Sequence, residues 1–393
     1  MQPGSSATPG ADVVFTFGME MFDDAVGREF CRPTDQTLLA LAGNDRVGRL
    51  LIADAWRSYI ASAVRRRPVR LDDPIVVAGR DAVRVRPHRI RTVESTRLHT
   101  VERSYRRYGA LLGRVLARAR GERTAQPGSA SLVTYHPFVA AFCDAPWISN
   151  IVYVGQDDWA TGDVLAPWWD LFHVAYQRID ERAAAIFAVS EELARRVSPR
   201  TTVVPNGVIG EVWRRRLPEP DRIALLPRPR AVYTGTIDDR LEPALVEATA
   251  DRVGSLVMIG YPGDSSTIEW LRSLNNVHLF GPVGQRELAA TVQACDIGVI
   301  PHRDHACIRA MSPLKLYEFL AAGLPVLSVD LPPIHGVDDE RVHISQRPDW
   351  ADGLARVLAM GPAPEARRLT FVDEVSWERR MQPVVLAATR EPR

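Results

Sequence analysis

The chain has 393 residues, 46% of them hydrophobic, and a net charge of +1 at pH 7. This length exceeds the roughly 250–300 residues at which a single hydrophobic core stops growing, so we expect two globular domains. The sequence has no run of about 18 apolar residues, and residues 1–10 form a Pro, Gly and Ser-rich tail without the apolar core of a signal peptide. These features exclude an obvious membrane-spanning segment and favour a cytoplasmic protein with a disordered start.

Short apolar segments alternate with helical stretches in both halves, a pattern typical of an α/β protein built from βαβ units with parallel sheets. In the first half, strands are predicted near 13–17, 49–53, 75–77, 132–135, 151–154, 185–189 and 202–204. In the second half, they are predicted near 231–234, 256–259, 277–280, 297–300, 326–329 and 342–344. Four prolines indicate a linker over 214–229. It separates a domain over 11–213 from one over 230–375, and a last helix is predicted within 376–393.

The loops that follow strands are the candidate sites, because ligands in open α/β sheets bind beyond the carboxyl ends of the strands. Gly18 and Met19 follow the first strand, where the glycine either lets the backbone approach a ligand or makes a tight turn. No G-x-G-x-x-G pattern is present there, so nicotinamide binding is not expected. His136 follows another strand of the first half, in a position from which an imidazole can hydrogen-bond a substrate.

Two carboxylates, Asp157 and Asp158, follow the next strand and precede Trp159. Such a pair either binds substrate hydroxyls, with one carboxylate as general base in an inverting reaction, or caps the next helix. Both interpretations remain open from the sequence.

Residues 65–123 form a basic region with 17 arginines and 6 acidic residues. Within it, apolar residues recur at helical spacing over 99–120 and arginines occupy the other faces, which predicts a basic amphipathic helix. Such a helix either contacts an anionic membrane surface, steers acidic ligands or presents a solvated face. Nucleic acid is not an expected partner, because the aromatic residues do not recur among the arginines as a stacking platform requires.

The chain contains a single lysine, Lys315, near the predicted start of a short helix. Ser312 is predicted as the N-cap, Pro313 as the first helical residue and Gly323 as the residue after the last turn. A lysine in a first turn opposes the helix dipole, so a bound phosphate is expected nearby. Glu318, one turn deeper, can then accept hydrogen bonds from a ribose, although an ordinary Lys–Glu pair on a solvated face is the alternative.

His302 and Arg303 lie between the strand near 297–300 and this helix, so they should line the same site. With Asp304 and His305 they lack the spacing of a strong metal site. The four cysteines are widely separated and form neither a metal-ligand pattern nor a disulfide framework.

Six ordered segments carry a resemblance to one family. They are Val203–Val208, Tyr233–Thr236, Val257–Gly260, Asn276–Gly281, Cys295–Pro301 and Ser312–Val326, and a further segment, Ala188–Leu193, precedes the first of them. In this order they resemble the nucleotide-sugar glycosyltransferases of the GT-B fold, similar to the mostly retaining family 4 or group 1 enzymes of polysaccharide, glycolipid and glycoside synthesis. The resemblance implies two Rossmann-like domains that face a central cleft, the first on the acceptor side and the second binding the nucleotide sugar. It also implies a final helix that returns to the first domain.

The resemblance also implies roles for individual residues. Glu318 would hold the donor ribose, and Lys315 with its neighbouring backbone amides would meet the diphosphate. The full set of implied donor-binding residues is Gly18, Gly235, Thr236, His302, Arg303, Ser312, Pro313, Leu314, Lys315 and Glu318. Acceptor contacts are assigned to Met19, Asp157 and Trp159, and catalytic roles to Lys315, His136 and Asp158.

Two positions depart from the family pattern. Ala310 stands where many relatives have a second glutamate, and Thr236 stands where a basic residue often follows the glycine of the first C-domain strand. We expect Arg240 or Arg303 to supply that missing positive charge.

The implied function is transfer of a sugar, with retention, from a nucleoside-diphosphate sugar to an acceptor hydroxyl, without a metal or cofactor. A nucleotide-sugar epimerase of the same fold and a catalytically inactive nucleotide-binding partner are the alternatives. The epimerase would need no acceptor, and the inactive partner would bind nucleotide weakly or not at all.

Overall fold

The computed structural model describes residues 10–64, 70–90, 93–303, 305–338 and 340–390. The tail predicted over 1–10 therefore lies outside the described residues except for Gly10. Residues 65–69 and 91–92 of the basic region, Asp304, and residues 391–393 of the predicted last helix also lie outside them.

The chain forms two compact units. The first extends to Val204 and includes the stretch from Met381 onward, and the second is Pro205–Arg380. The linker predicted over 214–229 falls inside the second unit. Trp213, immediately before this segment, and Ile223, within it, are buried in the hydrophobic core.

In the described part of the first unit the strands, in chain order, are β1 (Ala11–Thr16), β2 (Val47–Ala53), β3 (Arg57–Ser58), β4 (Asp72–Val77), β5 (Arg80–Val85), β6 (His88–Arg89), β7 (Ala130–Thr134), β8 (Ile148–Gly155), β9 (Ala185–Ala188) and β10 (Thr202–Val203). The helices are α1 (Phe22–Gly27), α2 (Pro33–Ala42), α3 (Tyr59–Val64), α4 (Leu98–Arg120), α5 (Pro137–Phe142), α6 (Trp169–Arg182) and α7 (Glu191–Val197), with a 3-10 helix at Asp163–Trp168.

Eight of these strands form one sheet in the order β10-β9-β8-β7-β1-β2-β5-β4, and β3 pairs with β6 separately. The large sheet is parallel except for the β4–β5 hairpin at its edge. Because β1, β7 and β8 are adjacent and parallel, the loops that follow them emerge at the same edge. The sheet therefore brings the loops of Gly18, His136 and Asp157 together.

Helix α4 is the helix predicted over 99–120, and it begins one residue earlier, at Leu98. The apolar residues of the predicted helical spacing, among them Val101, Tyr105 and Leu112, form its buried face. Ala119, near its end, is exposed. Gly113 permits a close approach to the core, because a Cβ there would lie only 2.6 Å from Cδ1 of Trp147.

In the described part of the second unit the strands are β11 (Arg230–Thr234), β12 (Ser255–Ile259), β13 (Val277–Phe280), β14 (Ile297–Ile300), β15 (Val326–Ser328) and β16 (Val342–Ile344). The helices are α8 (Gly210–Trp213), α9 (Asp221–Ala224), α10 (Pro243–Ala250), α11 (Ser265–Arg272), α12 (Gln285–Gln293), α13 (Ala306–Ala310), α14 (Leu314–Ala322), α15 (Trp350–Met360), α16 (Glu365–Val375) and α17 (Trp377–Arg380), with 3-10 helices at Pro332–Ile334 and Arg347–Asp349.

The six strands form a parallel sheet in the order β13-β12-β11-β14-β15-β16. The strand order reverses between β11 and β14, which is the position where α/β sheets usually bind ligands. Hydrophobic cores cover both faces of the sheet. The predicted α/β class with parallel sheets is confirmed in both units.

A final helix, α18 (Gln382–Ala388), belongs to the first unit. It packs against α2, β7 and β8 and buries Val384, Val385 and Ala388. Sulfur of Met381, at its N-cap, accepts a 2.8 Å hydrogen bond from the hydroxyl of Thr37.

Candidate functional site

The predicted donor residues of the second unit meet where β11 and β14 end. Gly235 and Thr236 follow β11, His302 and Arg303 follow β14, and Lys315 lies in the first turn of α14. A backbone hydrogen bond of 2.8 Å from Arg303 N to Arg240 O joins the two loops. Because β11 and β14 are adjacent and parallel, residues about 70 to 80 positions apart in the sequence lie close together at their carboxyl ends.

The ammonium of Lys315 is held by aromatic and polar groups from the sheet. Its Nζ lies 3.0 Å from Nε2 of His302 and 4.2 Å from the ring centre of Tyr233. An ammonium can only donate hydrogen bonds, so Nε2 of His302 is the acceptor and the proton of the neutral ring is on Nδ1. The tyrosine face adds a cation–π contact, so Lys315 is fixed in place rather than free to move.

Glu318 lies one turn further along α14 and accepts a 3.2 Å hydrogen bond from the hydroxyl of Thr234, at the end of β11. Lys315 and Glu318 are both half-buried. One cationic and one anionic group are therefore presented side by side at the ends of the central strands.

Burial changes the protonation of these groups. It lowers the pKa of Lys315 to about 7, with a further decrease caused by the positive charge of Arg240. Burial likewise raises the pKa of Glu318 to about 7, and it holds the pKa of His302 well below its ordinary value, with Lys315 contributing. A negatively charged ligand bound at Lys315 would offset the free-energy cost of protonating this buried amine, and it would thereby raise the pKa of Lys315.

Gly235 has a backbone conformation that favours glycine, with φ of 120°. A Cβ at this position would stand 3.4 Å from Nζ of Lys315. The same loop lies against Gly260, where a Cβ would meet the carbonyl oxygen of Gly235 at 1.7 Å. Bare backbone therefore surrounds the ammonium on this side, as expected where a phosphate must come close.

Ser312 does not cap the helix as predicted, because α14 begins at Leu314 with Pro313 as the N-cap residue. Instead, the hydroxyl of Ser312 accepts a 3.2 Å hydrogen bond from the backbone N–H of Asn206, and its carbonyl accepts one of 2.6 Å from the Asn206 side chain. The predicted end at Gly323 is confirmed, with φ of 87°. Asn206 thus anchors the segment that leads into the lysine helix.

Two arginines were candidates for the missing basic residue at Thr236. Arg240 donates to Asp238 at 2.9 Å, yet its charge still lowers the pKa of Lys315. Arg303 lies 4.0 Å from Glu242. The electrostatic effect on Lys315 therefore favours Arg240 as the group that adds positive potential here.

The first unit gathers a second set of predicted residues. Trp159 is buried, with its ring centre 4.9 Å from that of His136, and a Cβ at Gly18 would lie 3.5 Å from Trp159 Cζ2. Met19 is 54% exposed, and its carbonyl accepts a 2.6 Å hydrogen bond from Arg57. The expected convergence of these loops is seen within this unit.

Both ring nitrogens of His136 are engaged. Its Nδ1 accepts a 3.1 Å hydrogen bond from the backbone N–H of Phe138 and thereby caps α5, and its Nε2 lies 3.3 Å from the hydroxyl of Tyr105. Nε2 must then carry the proton and donate to Tyr105, which donates in turn to Glu94 at 3.3 Å. Burial lowers the pKa of His136 to about 3, so the ring is neutral, and a substrate would have to compete with Tyr105 for its N–H.

The Asp157–Asp158 pair divides into two environments. Asp158 is buried, pairs with Arg196, and accepts hydrogen bonds from Ala160 N at 3.0 Å and Tyr176 OH at 3.3 Å. Asp157 is exposed. These contacts favour a structural role for Asp158. Its catalytic role stays a prediction, and the geometry does not support it.

Several contact residues were missed from the sequence. Tyr233 and Thr234 were treated only as part of a family motif and a predicted strand, and Tyr105 was not singled out. The signal that could have revealed Tyr233 and Thr234 is their position in the last two residues of a central strand.

The described residues contain no group of three or more His, Cys, Asp or Glu side chains placed to hold a metal ion. None of the helices within the described ranges has the length and apolar character needed to cross a membrane.

Residues 229–360 match the model of a family described as "Glycosyl transferases group 1". A Bacillus subtilis (strain 168) protein, provisionally named teichuronic acid biosynthesis glycosyltransferase TuaH, is 32% identical over 169 residues, covering 39% of this chain and 42% of that protein. The match with this curated relative thus spans about two fifths of its length.

Solved structures share the fold of the whole chain. An E. coli structure titled as trehalose-6-phosphate bound with UDP-2-fluoro glucose is 12% identical, with a TM-score of 0.62 over 97% of this chain and 100% of that one. A Burkholderia xenovorans trehalose-phosphate synthase in complex with glucose-6-phosphate is also 12% identical, with a TM-score of 0.63 over 96% and 100%. The chain therefore has the GT-B fold, and its segment 229–360 matches the model of the group 1 glycosyltransferases.

Proposed function

We propose that this chain is a glycosyltransferase that moves a sugar from a nucleoside-diphosphate sugar to an acceptor hydroxyl. The observation that carries the proposal is the fixed ammonium of Lys315, held 3.0 Å from His302 at the start of α14, with Glu318 one turn further on. An immobile cation beside the amides of a helix start suits a diphosphate, and a carboxylate at that distance suits a ribose.

The protein groups would act mainly on the leaving group. As the bond to the sugar breaks, negative charge grows on the departing diphosphate, and Lys315 with the first-turn amides of α14 would stabilise it. Arg240 would add positive potential. We propose that no metal is required, since these groups supply the positive charge themselves, and that the anomeric configuration is retained, as the resemblance implies.

The acceptor side is assigned to the first unit. Gly18 and Met19 follow β1, and Asp157 and Trp159 follow β8 at the same sheet edge. His136 follows β7, which lies between these two strands. The polysaccharide context of the Bacillus subtilis relative supports a sugar or glycolipid acceptor. We further propose that the protein works in the cytoplasm and that its basic region, 65–123, contacts an anionic membrane surface.

Ligand-induced changes in melting temperature test the donor assignment. UDP, GDP, TDP, ADP and CMP are compared on the wild type, Lys315→Ala and Glu318→Ala, with Arg272→Ala as a control at an exposed position of α11. A ligand at about 100 times its dissociation constant adds roughly 2.7 kcal/mol to the folded state, so one nucleotide should raise the melting temperature of the wild type and the control. UDP comes first, because a neighbouring structure contains a UDP-sugar.

Both site substitutions should reduce that increase. A well-folded wild type that responds to none of the nucleotides would refute donor binding and favour the inactive-partner alternative. Conversion of a nucleotide sugar to an isomer without any acceptor would instead establish the epimerase alternative.

A further inference from the structure

The second unit contains a cavity of about 440 Å³ that includes none of the proposed donor residues. It lies between the loop 336–338, one face of α16 and Arg380 at the end of α17. Its volume falls within the roughly 300–1,000 Å³ typical of small-molecule sites.

Arg380 is the lining residue whose hydrogen-bonding capacity is unused. Its Nε is buried and has no hydrogen-bond partner, and no ion pair joins it to a carboxylate of the described residues. The guanidinium lies 6.0 Å from the ring centre of Tyr317, and a Cβ at Gly207 would be 3.3 Å from its Cγ. The side chain is therefore confined, and the carboxylate of Glu374 acts on its charge only from beyond ion-pair distance.

The other charged side chains of the cavity do not meet this need. Arg367 pairs with Asp338 and with Glu340, so its charge and that of Asp338 offset each other. Glu374 is exposed on α16. Phe371, half-buried on the same helix, offers an apolar surface.

Burial of the Nε–H of Arg380 without an acceptor has a free-energy cost, because this donor loses its water and no protein acceptor replaces it. Burial and the neighbouring Arg379 accordingly lower the pKa of Arg380. A phosphate or carboxylate is the natural complement, since a guanidinium forms charge-assisted, bidentate hydrogen bonds with such groups.

We propose that this cavity binds a small oxyanion-bearing ligand, a phosphorylated or carboxylated molecule of roughly metabolite size, whose anionic group contacts Arg380. The site does not depend on the proposed donor site. It does contact the same helix, because Tyr317, which packs under Arg380, lies between Lys315 and Glu318 on α14.

Inorganic phosphate is the probe, with acetate and chloride compared at equal ionic strength. The substitutions are made in a Lys315→Ala background, so that phosphate bound at the donor site does not contribute. In this background phosphate should raise the melting temperature, and Arg380→Gln should weaken its binding in calorimetric titrations about tenfold or more. Arg379→Gln is the matched control, since it removes an adjacent exposed arginine and should change phosphate binding far less than Arg380→Gln does.

Equal phosphate affinity in Arg380→Gln and Arg379→Gln would overturn the proposal. It would also be overturned if phosphate and acetate raised the melting temperature no more than chloride does. Thr370→Glu provides a second test if Arg380→Gln folds poorly. Thr370 is exposed at the rim of the cavity, so a carboxylate there should repel the anion or occupy Arg380 itself. Undiminished phosphate binding in Thr370→Glu would also overturn it.

Discussion

Raising the pH above neutrality should weaken binding of the diphosphate to the wild type. With a pKa of about 7, Lys315 is mostly charged near pH 6.5 and mostly neutral near pH 8.5. From these fractions, roughly 76% and 3%, the affinity should fall about 25-fold over this range. His302 stays neutral throughout, because burial keeps its pKa well below the range.

The direction of this pH dependence follows from the negative charge of the ligand. A bound diphosphate favours the ammonium and raises the pKa of Lys315, so binding above pH 7 must take up a proton. Glu318 loses its proton in the same range, which adds repulsion in the same direction. Calorimetric titration of UDP in buffers with different ionisation heats measures both the affinity and the number of protons taken up.

Two variants separate the contributions. Lys315→Met should bind UDP about 10- to 100-fold more weakly near pH 6.5 and lose most of the pH dependence, because a charge-assisted hydrogen bond contributes about 1.5–3 kcal/mol. Glu318→Gln should keep the dependence that comes from Lys315. A wild type whose affinity is constant from pH 6.5 to 8.5, with no proton uptake, would refute the role given to the lysine.

Three further substitutions have defined outcomes. Gly235→Ala should weaken UDP binding about tenfold, because alanine is strained at φ of 120° and its Cβ would crowd Lys315; unchanged titrations would contradict this. Arg368→Met should lower the free energy of unfolding by about 3–5 kcal/mol in urea, since this buried side chain donates to several backbone carbonyls; a loss below about 1 kcal/mol would contradict it. Asp158→Asn should cost about 1–3 kcal/mol of stability through its pair with Arg196 while kcat changes only a few-fold, whereas a kcat loss above about 100-fold would establish a catalytic base.

The fold of the second unit was predictable to within one or two residues. Its strands are short and mostly apolar, and β11, β12, β14 and β15 are completely buried. The alternation with helices and the strand ends were therefore visible, as at Val277–Phe280 and Ile297–Ile300. Strand β5, Arg80–Val85, was missed because three of its six residues are charged, and it pairs antiparallel with β4. The hairpin turn between them uses positive φ at Ala78 as well as Gly79, and an alanine carries no such signal.

The site was predictable where one residue type stood out and not where partners came from distant segments. Lys315 was conspicuous as the only lysine, and the dipole argument predicted an anion beside it without the fold. The contact with Tyr233 and the polar anchor at Asn206 depend on how β11, β14 and the segment before α14 meet, which no local pattern encodes. The prediction of Ser312 as the N-cap was wrong for a similar reason, since its hydroxyl accepts a hydrogen bond from the backbone N–H of Asn206 instead.

Helix α18 has a consequence for biosynthesis. The ribosome makes the first unit up to Val204, then the whole of Pro205–Arg380, and only afterwards the helix that covers α2, β7 and β8. During translation the surface destined for Val384, Val385 and Ala388 therefore stays uncovered while the second unit can already fold. A nascent chain stalled before Met381 should expose that apolar surface to chaperones and proteases, and the first unit should become resistant to proteolysis only once the end of the chain has left the ribosome.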